Sequence, residues 1–339
     1  MSHTPEKKVR LAHGGGGRLS RQLLDDVFLP VFGNTDLNRL NDSAILHAGP
    51  GQLAFTTDSY VVDPLFFPGG NIGSLAVCGT VNDLAVMGAE PRYLSAGFIL
   101  EEGLPIDTLQ AVVHTMGETA KAAGVSIVTG DTKVVARGQA DGIFINTAGI
   151  GYIDHRSRVS ESRLCEGDVI LVSGPLGCHG MAVISARKAL GIESEIQSDV
   201  APLNGLVKAM MNASPNIHAM RDATRGGLAS VLNEMADQAG LHIEIKEAKL
   251  PIRDEVNTAC ELLGFDPVYV ANEGVLVASV AQEDAEAVLH AMQGVTVGAE
   301  ARIIGRVCQG TGSRVTMETT LGTHRIVDML SGEQLPRIC

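Results

Sequence analysis

Two series of alternating β-type and helical apolar patterns, separated by a polar stretch that carries neither period, constrain this chain more than any other feature. The first series opens with apolar residues at helical spacing, Leu19, Leu23, Val27 and Val31. Two β-type runs follow, Ala44–His47 and Leu53–Thr57, and the intervening Ala-Gly-Pro-Gly predicts a hairpin. A small-residue helix over Ile72–Met87, a strand over Leu94–Leu100, a helix over Thr108–Ala123 and strands over Ser126–Thr129 and Ile143–Tyr152 complete it. The second series runs from strand Val169–Val172 through helices Met181–Leu190, Leu203–Asn212 and Leu228–Gln238 to strand Leu241–Ile245. It continues with helix Glu255–Leu263, strand Val275–Val280, helix Glu283–Met292 and a strand around Ile303–Val307.

The Arg-rich stretch Asp154–Glu166 between the series predicts a domain boundary near residue 155. Length agrees, because 339 residues exceed what one core serves and imply two domains of about 150 residues. From Thr319 to Cys339 the pattern fades and reads as a tethered tail.

Composition excludes several classes. Hydrophobic residues reach 45%, yet no apolar run approaches the roughly 18 residues of a membrane span. The segment Met1–Arg10 has no apolar region behind its charges, so a cytoplasmic, soluble protein is expected, with no membrane partner. Six cysteines lack Cys-x-x-Cys spacing and fit reduced thiols. A net charge of −13 without a Lys/Arg block argues against nucleic acid.

Three features carry chemistry. Gly14, Gly15, Gly16 and Gly17 precede a helix, where backbone N–H groups can approach an anion, although a flexible linker explains them as well. Asp42, Asp58, Asp83 and Asp131 lie at the ends of apolar segments. Helix capping explains each singly, and together they suit magnesium shared with a triphosphate. Lys133 sits two residues beyond Asp131 at what reads as a strand exit, Asp222 precedes the Gly226-Gly227 pair, and Asn272-Glu273 precedes a strand. The third feature is Pro336-Arg337-Ile338-Cys339, expected to project as a stiff arm. Detached after about Thr320, at ~3.3 Å per residue, it would reach up to about 65 Å. The neighbouring pair Cys178-His179 reads as core or turn.

His13 to Gly17, Asn41-Asp42-Ser43-Ala44, Thr57-Asp58-Ser59, Asn82-Asp83, Gly130-Asp131-Thr132-Lys133, Asp222 to Gly227 and Pro336 to Cys339 together resemble the HypE family of hydrogenase maturation proteins. That family falls within the AIR synthetase-like superfamily. The resemblance spans nearly the whole chain, and the Pro-Arg-Ile-Cys ending is its specific marker. It implies an α+β, PurM-like two-domain fold. Residues 1–42 form the Gly-rich segment and helix, 43–155 an ATP-binding domain that dimerises through a β-barrel, 156–318 a ferredoxin-like α/β domain, and 319–339 a flexible tail.

The resemblance also implies ATP and Mg2+ as cofactors. Gly14–Gly17, Asp42, Asp58, Asp83, Asp131, Asp222 and Asn272 would bind nucleotide, with Asp42, Asp58, Asp83 and Asp222 on the metal. Cys339, Lys133 and Glu273 would be catalytic. The implied reaction is ATP-dependent conversion of an S-carboxamide on Cys339 into S-cyanide, the cyanide ligand of a [NiFe]-hydrogenase. A HypF-like carbamoyltransferase and a HypC–HypD-like iron scaffold would be partners, and the protein a homodimer. The rival readings are a small-molecule kinase of the same superfamily and a nucleotide-gated scaffold.

Overall fold

The computed structural model describes residues 8–14, 18–39, 51–154, 159–187, 195–309, 312–330 and 337–339. The N-terminal helix is not continuous. α1 (Arg18–Leu23) passes through a π-turn at Leu24–Phe28 into α2 (Leu29–Phe32). Pro30 lacks the N–H that a regular ladder would use, and the wider turn absorbs the mismatch.

The first domain follows: β1 (Gln52–Tyr60), the two-residue strands β2 (Phe66–Phe67) and β3 (Gly70–Asn71), α3 (Ile72–Val86) and β4 (Ala89–Glu101). α4 (Ile106–Ala123), β5 (Ser126–Val135) and β6 (Ile143–Ile153) close it. The expected partner of β1, residues 44–47, lies outside the described residues. β1 pairs instead with β6, in a four-stranded sheet of order β1-β6-β4-β5. β4 and β5 are parallel, joined by α4 as a crossover. Pairing of β5 continues to Glu101↔Val135, so Asp131 and Lys133 stand inside an edge strand and not at its exit.

The second domain holds β7 (Val169–Val172), α5 (Cys178–Ser185), α6 (Asn204–Ala213), β8 (Ile217–Asp222), α7 (Gly227–Ala239) and β9 (His242–Lys246). Then come α8 (Asp254–Leu263), β10 (Leu276–Val280), α9 (Ala285–Gln293), β11 (Arg302–Cys308), β12 (Arg314–Glu318) and β13 (His324–Ile326). Its sheet runs β13-β12-β9-β11-β7-β10-β8 and is antiparallel except between β9 and β12. The chain stays with this sheet beyond Glu318: β13 pairs with β12, and Val327 is fully buried in the core.

α3 holds the two domains together. A capping box between Asn71 and Ser74 starts it, and it has no polar face, so it is stable only when covered on all sides. The first sheet and α4 cover one side. A Cβ at Gly73 would strike the Val112 carbonyl of α4, so only glycine permits that approach. On the other side Ala85 and Val86 pack with Leu171, Leu203, Met220 and Leu276 of the second domain. The Asn82 side chain, 1% exposed, donates to Ala201 O (3.1 Å) and Glu273 O (3.2 Å) and accepts from Leu203 N (2.7 Å).

Asn82→Ala leaves these backbone groups unpaired at the domain seam. It is expected to cost about 2–4 kcal/mol and lower the melting temperature by several degrees in thermal denaturation.

Candidate active site

Acidic side chains gather where β1, α3, β8 and the loop entering β10 converge. Asp58 accepts from the buried Tyr60 hydroxyl at 3.2 Å, and Asp83 accepts from Thr56 Oγ1 at 2.8 Å. Asp58 and Asp83 lie close enough that each carboxylate's charge disfavours ionisation of the other. Burial, then the charge of Asp58, raises Asp83 to about 6. Burial and the charge of Asp83 raise Asp222 to about 7. Asp58 is raised by its own burial. Glu273 is pushed well above the carboxylate range by burial, followed by the charges of Asp222, Asp199 and Asp58.

This seam therefore carries negative charge that the protein leaves under-compensated. Arg221, beside it, is committed to Glu161 (3.0 Å) and Glu234 (2.5 Å). Among the described residues, no three His, Cys, Asp or Glu side chains converge to form a complete metal cage. An all-oxygen donor set short of a cage fits magnesium, which takes one or two carboxylates plus phosphate oxygens and water.

The structure brings together Asp58, Asp83, Asp222 and Glu273 from the sequence-predicted set. Asp42 and Gly15–Gly17 lie outside the described residues, and Gly14 closes a short 3-10 turn, Leu11–Gly14. Asn272 is fully buried: it donates to Ala223 O (2.8 Å) and Val270 O (3.3 Å) and accepts from Gly177 N (2.7 Å).

Asp131 and Lys133 are not brought to the acid cluster within this chain. They pair with each other at 2.7 Å, side chains 68% and 64% exposed, and Lys133 holds Asp131 below its usual range. Three strand steps, roughly 14 Å, separate β5 from β1. Both residues line the rim of a 410 Å³ cavity whose opposite wall is Ser59-Tyr60-Val61.

The chain end is the second surprise. The tip of the tail does not project as an arm. It lies antiparallel beside the residues that follow β1: Val61 N donates to Cys339 O (3.2 Å) and Asp63 N to Arg337 O (3.1 Å). Ile338, 3% exposed, buries against Ile184 and Ala271 of the second domain. Arg337 adopts φ 54°, rarely occupied by non-glycine residues, and is held there by Asp141 (2.5 Å) and by its donation to Val61 O (3.1 Å). The physical reason is that the apolar Ile338 and the tail's carbonyls all find partners in the seam. Cys339 thus sits beside Val61, next in sequence to the Tyr60 that holds Asp58.

Sequence reasoning passed over Arg187 and Tyr60 and read His179 only as core or turn; the three hold the tail or the acids. The available signal was a histidine within an apolar helix, since a buried imidazole needs polar partners.

A tandem of two such domains is the arrangement of the AIR synthase related proteins, which have an N-terminal and a C-terminal domain. The sequence models of that family's N-terminal and C-terminal domains match residues 40–153 and 166–318. A Rhodobacter capsulatus protein named carbamoyl dehydratase HypE is 52% identical over 98% of this chain and 99% of its own. The crystal structure of the hydrogenase maturation protein HypE in complex with ATP superposes with a TM-score of 0.93 at 49% identity, covering 97% of this chain and 99% of that one. The HypE–HypF complex gives 0.80 at 48% identity, covering 91% and 99%. The chain belongs to the HypE family of carbamoyl dehydratases.

The raised acids set a pH dependence. Asp222 binds its proton more tightly folded, at about 7, than at its ordinary 3.8, so its favourable contribution is complete below about pH 4 and lost as pH rises toward 7. Without nucleotide, Asp222→Asn is expected to raise the urea midpoint at pH 8 and leave it unchanged near pH 4. Equal shifts at both values would show that the carboxylate charge is not what destabilises the seam.

Proposed function

We propose that this protein uses ATP to dehydrate a carboxamide carried on the Cys339 sulfur, giving the S-cyanide that supplies the cyanide ligand of a [NiFe]-hydrogenase. The observation that carries this is the seating of Cys339 beside Val61, on the segment that follows β1 and three residues beyond Asp58. The balance is R–S–C(O)NH2 plus ATP giving R–S–C≡N, ADP and phosphate. The amide oxygen is a poor leaving group. Transfer of the γ-phosphoryl to it yields an imidate phosphate, from which loss of the N–H proton expels phosphate.

One or two carboxylates drawn from Asp58, Asp83 and Asp222 would hold magnesium together with phosphate oxygens, and the metal would supply charge neutralisation for the triphosphate. Glu273, which burial in the seam keeps protonated, would take the nitrogen proton once a bound cation offsets that burial and leaves it ionised. The Gly14–Gly17 segment would close over the phosphates, whereas Lys133 and Asp131 stand away from this chain's acid cluster and take no part in the proposed step. The seam also keeps water from a phosphorylated intermediate that would otherwise hydrolyse. A HypF-like carbamoyltransferase would load Cys339 and a HypC–HypD-like iron scaffold receive the product. The chain would work in the cytoplasm; among the described residues no helix is long and apolar enough to cross a membrane.

Intact-mass analysis of carbamoylated protein before and after ATP and magnesium tests the reaction. Loss of one water, ~18 Da, confined to the Cys339 peptide is expected, and Cys339→Ala should abolish it while nucleotide still binds. No mass change with carbamoylation confirmed would sink the dehydratase reading.

We also propose a homodimer through the open face of the first sheet. β1 presents Leu53 (54% exposed) and Phe55 (67%) there, and β4 presents Ile99 (44%), an apolar surface that a second copy would cover. Phe55→Glu is expected to shift the light-scattering mass from dimer to monomer at micromolar concentration.

A further inference from the structure

Three side chains of one stripe of helix α5 and its C-terminal extension, His179, Val183 and Arg187, recur at four-residue spacing and meet the first domain and the tail. Val183 packs into the first domain's core, with the Cys339 side chain against that same cluster. Arg187 donates through Nε to Asp63 O and through Nη2 to Arg337 O, both at 3.0 Å, clamping the tail to the strand beside it. His179 is fully buried, its Nε2 lies 3.0 Å from Ile338 O, and its Nδ1 lies 2.8 Å from Ser198 Oγ.

The partners determine the tautomer. A carbonyl only accepts, so Nε2 carries the proton and donates to Ile338, and the remaining lone pair on Nδ1 accepts from Ser198. Ser198 is fixed in turn: its N–H donates to Pro68 O (2.8 Å) and its Oγ accepts from Val200 N (3.1 Å). The edge of the Phe67 ring closes the remaining side, with centroids 5.3 Å apart. A neutral imidazole, oriented from behind, thus points one hydrogen at one peptide carbonyl of the tail.

We propose that His179 is a positioning residue for the reaction: by donating to the Ile338 carbonyl it holds the last peptide units against Val61–Asp63 and so sets where the Cys339 sulfur stands. This rests on the reading of Cys339 as the reacting residue. His179 contacts no reacting atom, and its effect is on the fraction of time the tail is seated. Arg187 supports the same seat from the Arg337 carbonyl. The C-terminal domain therefore reads the tail's backbone, while the Ile338 side chain fills the apolar pocket made by Ile184 and Ala271. Other apolar residues at 338 are accommodated by such a seat; a shift in the distance between Ile338 O and the sulfur is not.

The test uses hydrogen exchange of the 61–63 amides, two of which donate to the tail, in the full chain and in a chain lacking residues 337–339. In the wild type the deletion is expected to raise exchange there. His179→Leu in the full chain is expected to raise it roughly tenfold, the worth of one buried hydrogen bond, with little further effect of deletion. His179→Gln, whose amide can place an N–H near the Nε2 position, is expected to remain close to wild type. The single-turnover dehydration rate should fall with Leu and recover with Gln, while nucleotide affinity is unchanged in both. Wild-type protection of 61–63 in the Leu variant would overturn the assignment. So would a rise in exchange that is as large in the truncated chain, because that marks simple destabilisation. If the wild-type chain fails to dehydrate its carboxamide and yet shows tail-dependent protection, the proposed reaction falls and the seat stands.

Discussion

A helix without a polar face cannot survive at the edge of a small domain, and everything in this molecule is arranged around the burial of α3. One sheet covers half of its surface, so the second domain must cover the rest, and Ala85 and Val86 join that domain's core. The Asn82 side chain then ties three backbone groups of the opposite domain to the helix. The two domains are consequently not free to separate without exposing apolar surface and orphaning buried polar groups, both costly. Asp83, next to Asn82, is carried into the seam by the same packing.

That position creates the electrostatic character of the site. Carboxylates from β1, α3, β8 and the loop before β10 are buried together, so desolvation first and one another's charge second make them retain protons that isolated carboxylates would lose. Such an arrangement is poor for stability and good for binding a cation with its phosphates, because the ligand supplies the missing charge. The tail uses the same seam differently. It adds as a short antiparallel strand beside residues 61–63, a form of β-augmentation in which main-chain hydrogen bonds supply most of the docking and Ile338 supplies an anchor.

Much of this was legible in the residues. Hydrophobic periodicity located α3, α4 and most strands, since a 15-residue run of small and apolar residues or a β-branched stretch leaves little local choice. It missed the two-residue β2 and β3 as well as β8, β12 and β13. The residues His218-Ala219-Met220-Arg221 carry no alternation, and that strand exists because β10 pairs with it. The acids Asp58, Asp83 and Asp222 were recognisable from their places at segment ends. Nothing local reveals that the Asn272 amide is held by Gly177, nearly a hundred residues away, and by Ala223. Asp131 and Lys133 were misplaced at a strand exit for a similar reason, as pairing with β4 prolongs the strand beyond what its own residues predict.

What the sequence by itself determined is the set of elements, the two-domain division and the family-specific motifs, because these depend on local propensity, periodicity and residue chemistry. What only the tertiary structure decided is which acids share one seam and that the tail folds back onto its own chain. It also decided that the buried His179 faces the tail and not merely the core. Each of these depends on groups distant in sequence satisfying one another's charge or hydrogen bonds. Burial enforces that pairing through the cost of leaving polar atoms without partners, and no local pattern encodes it.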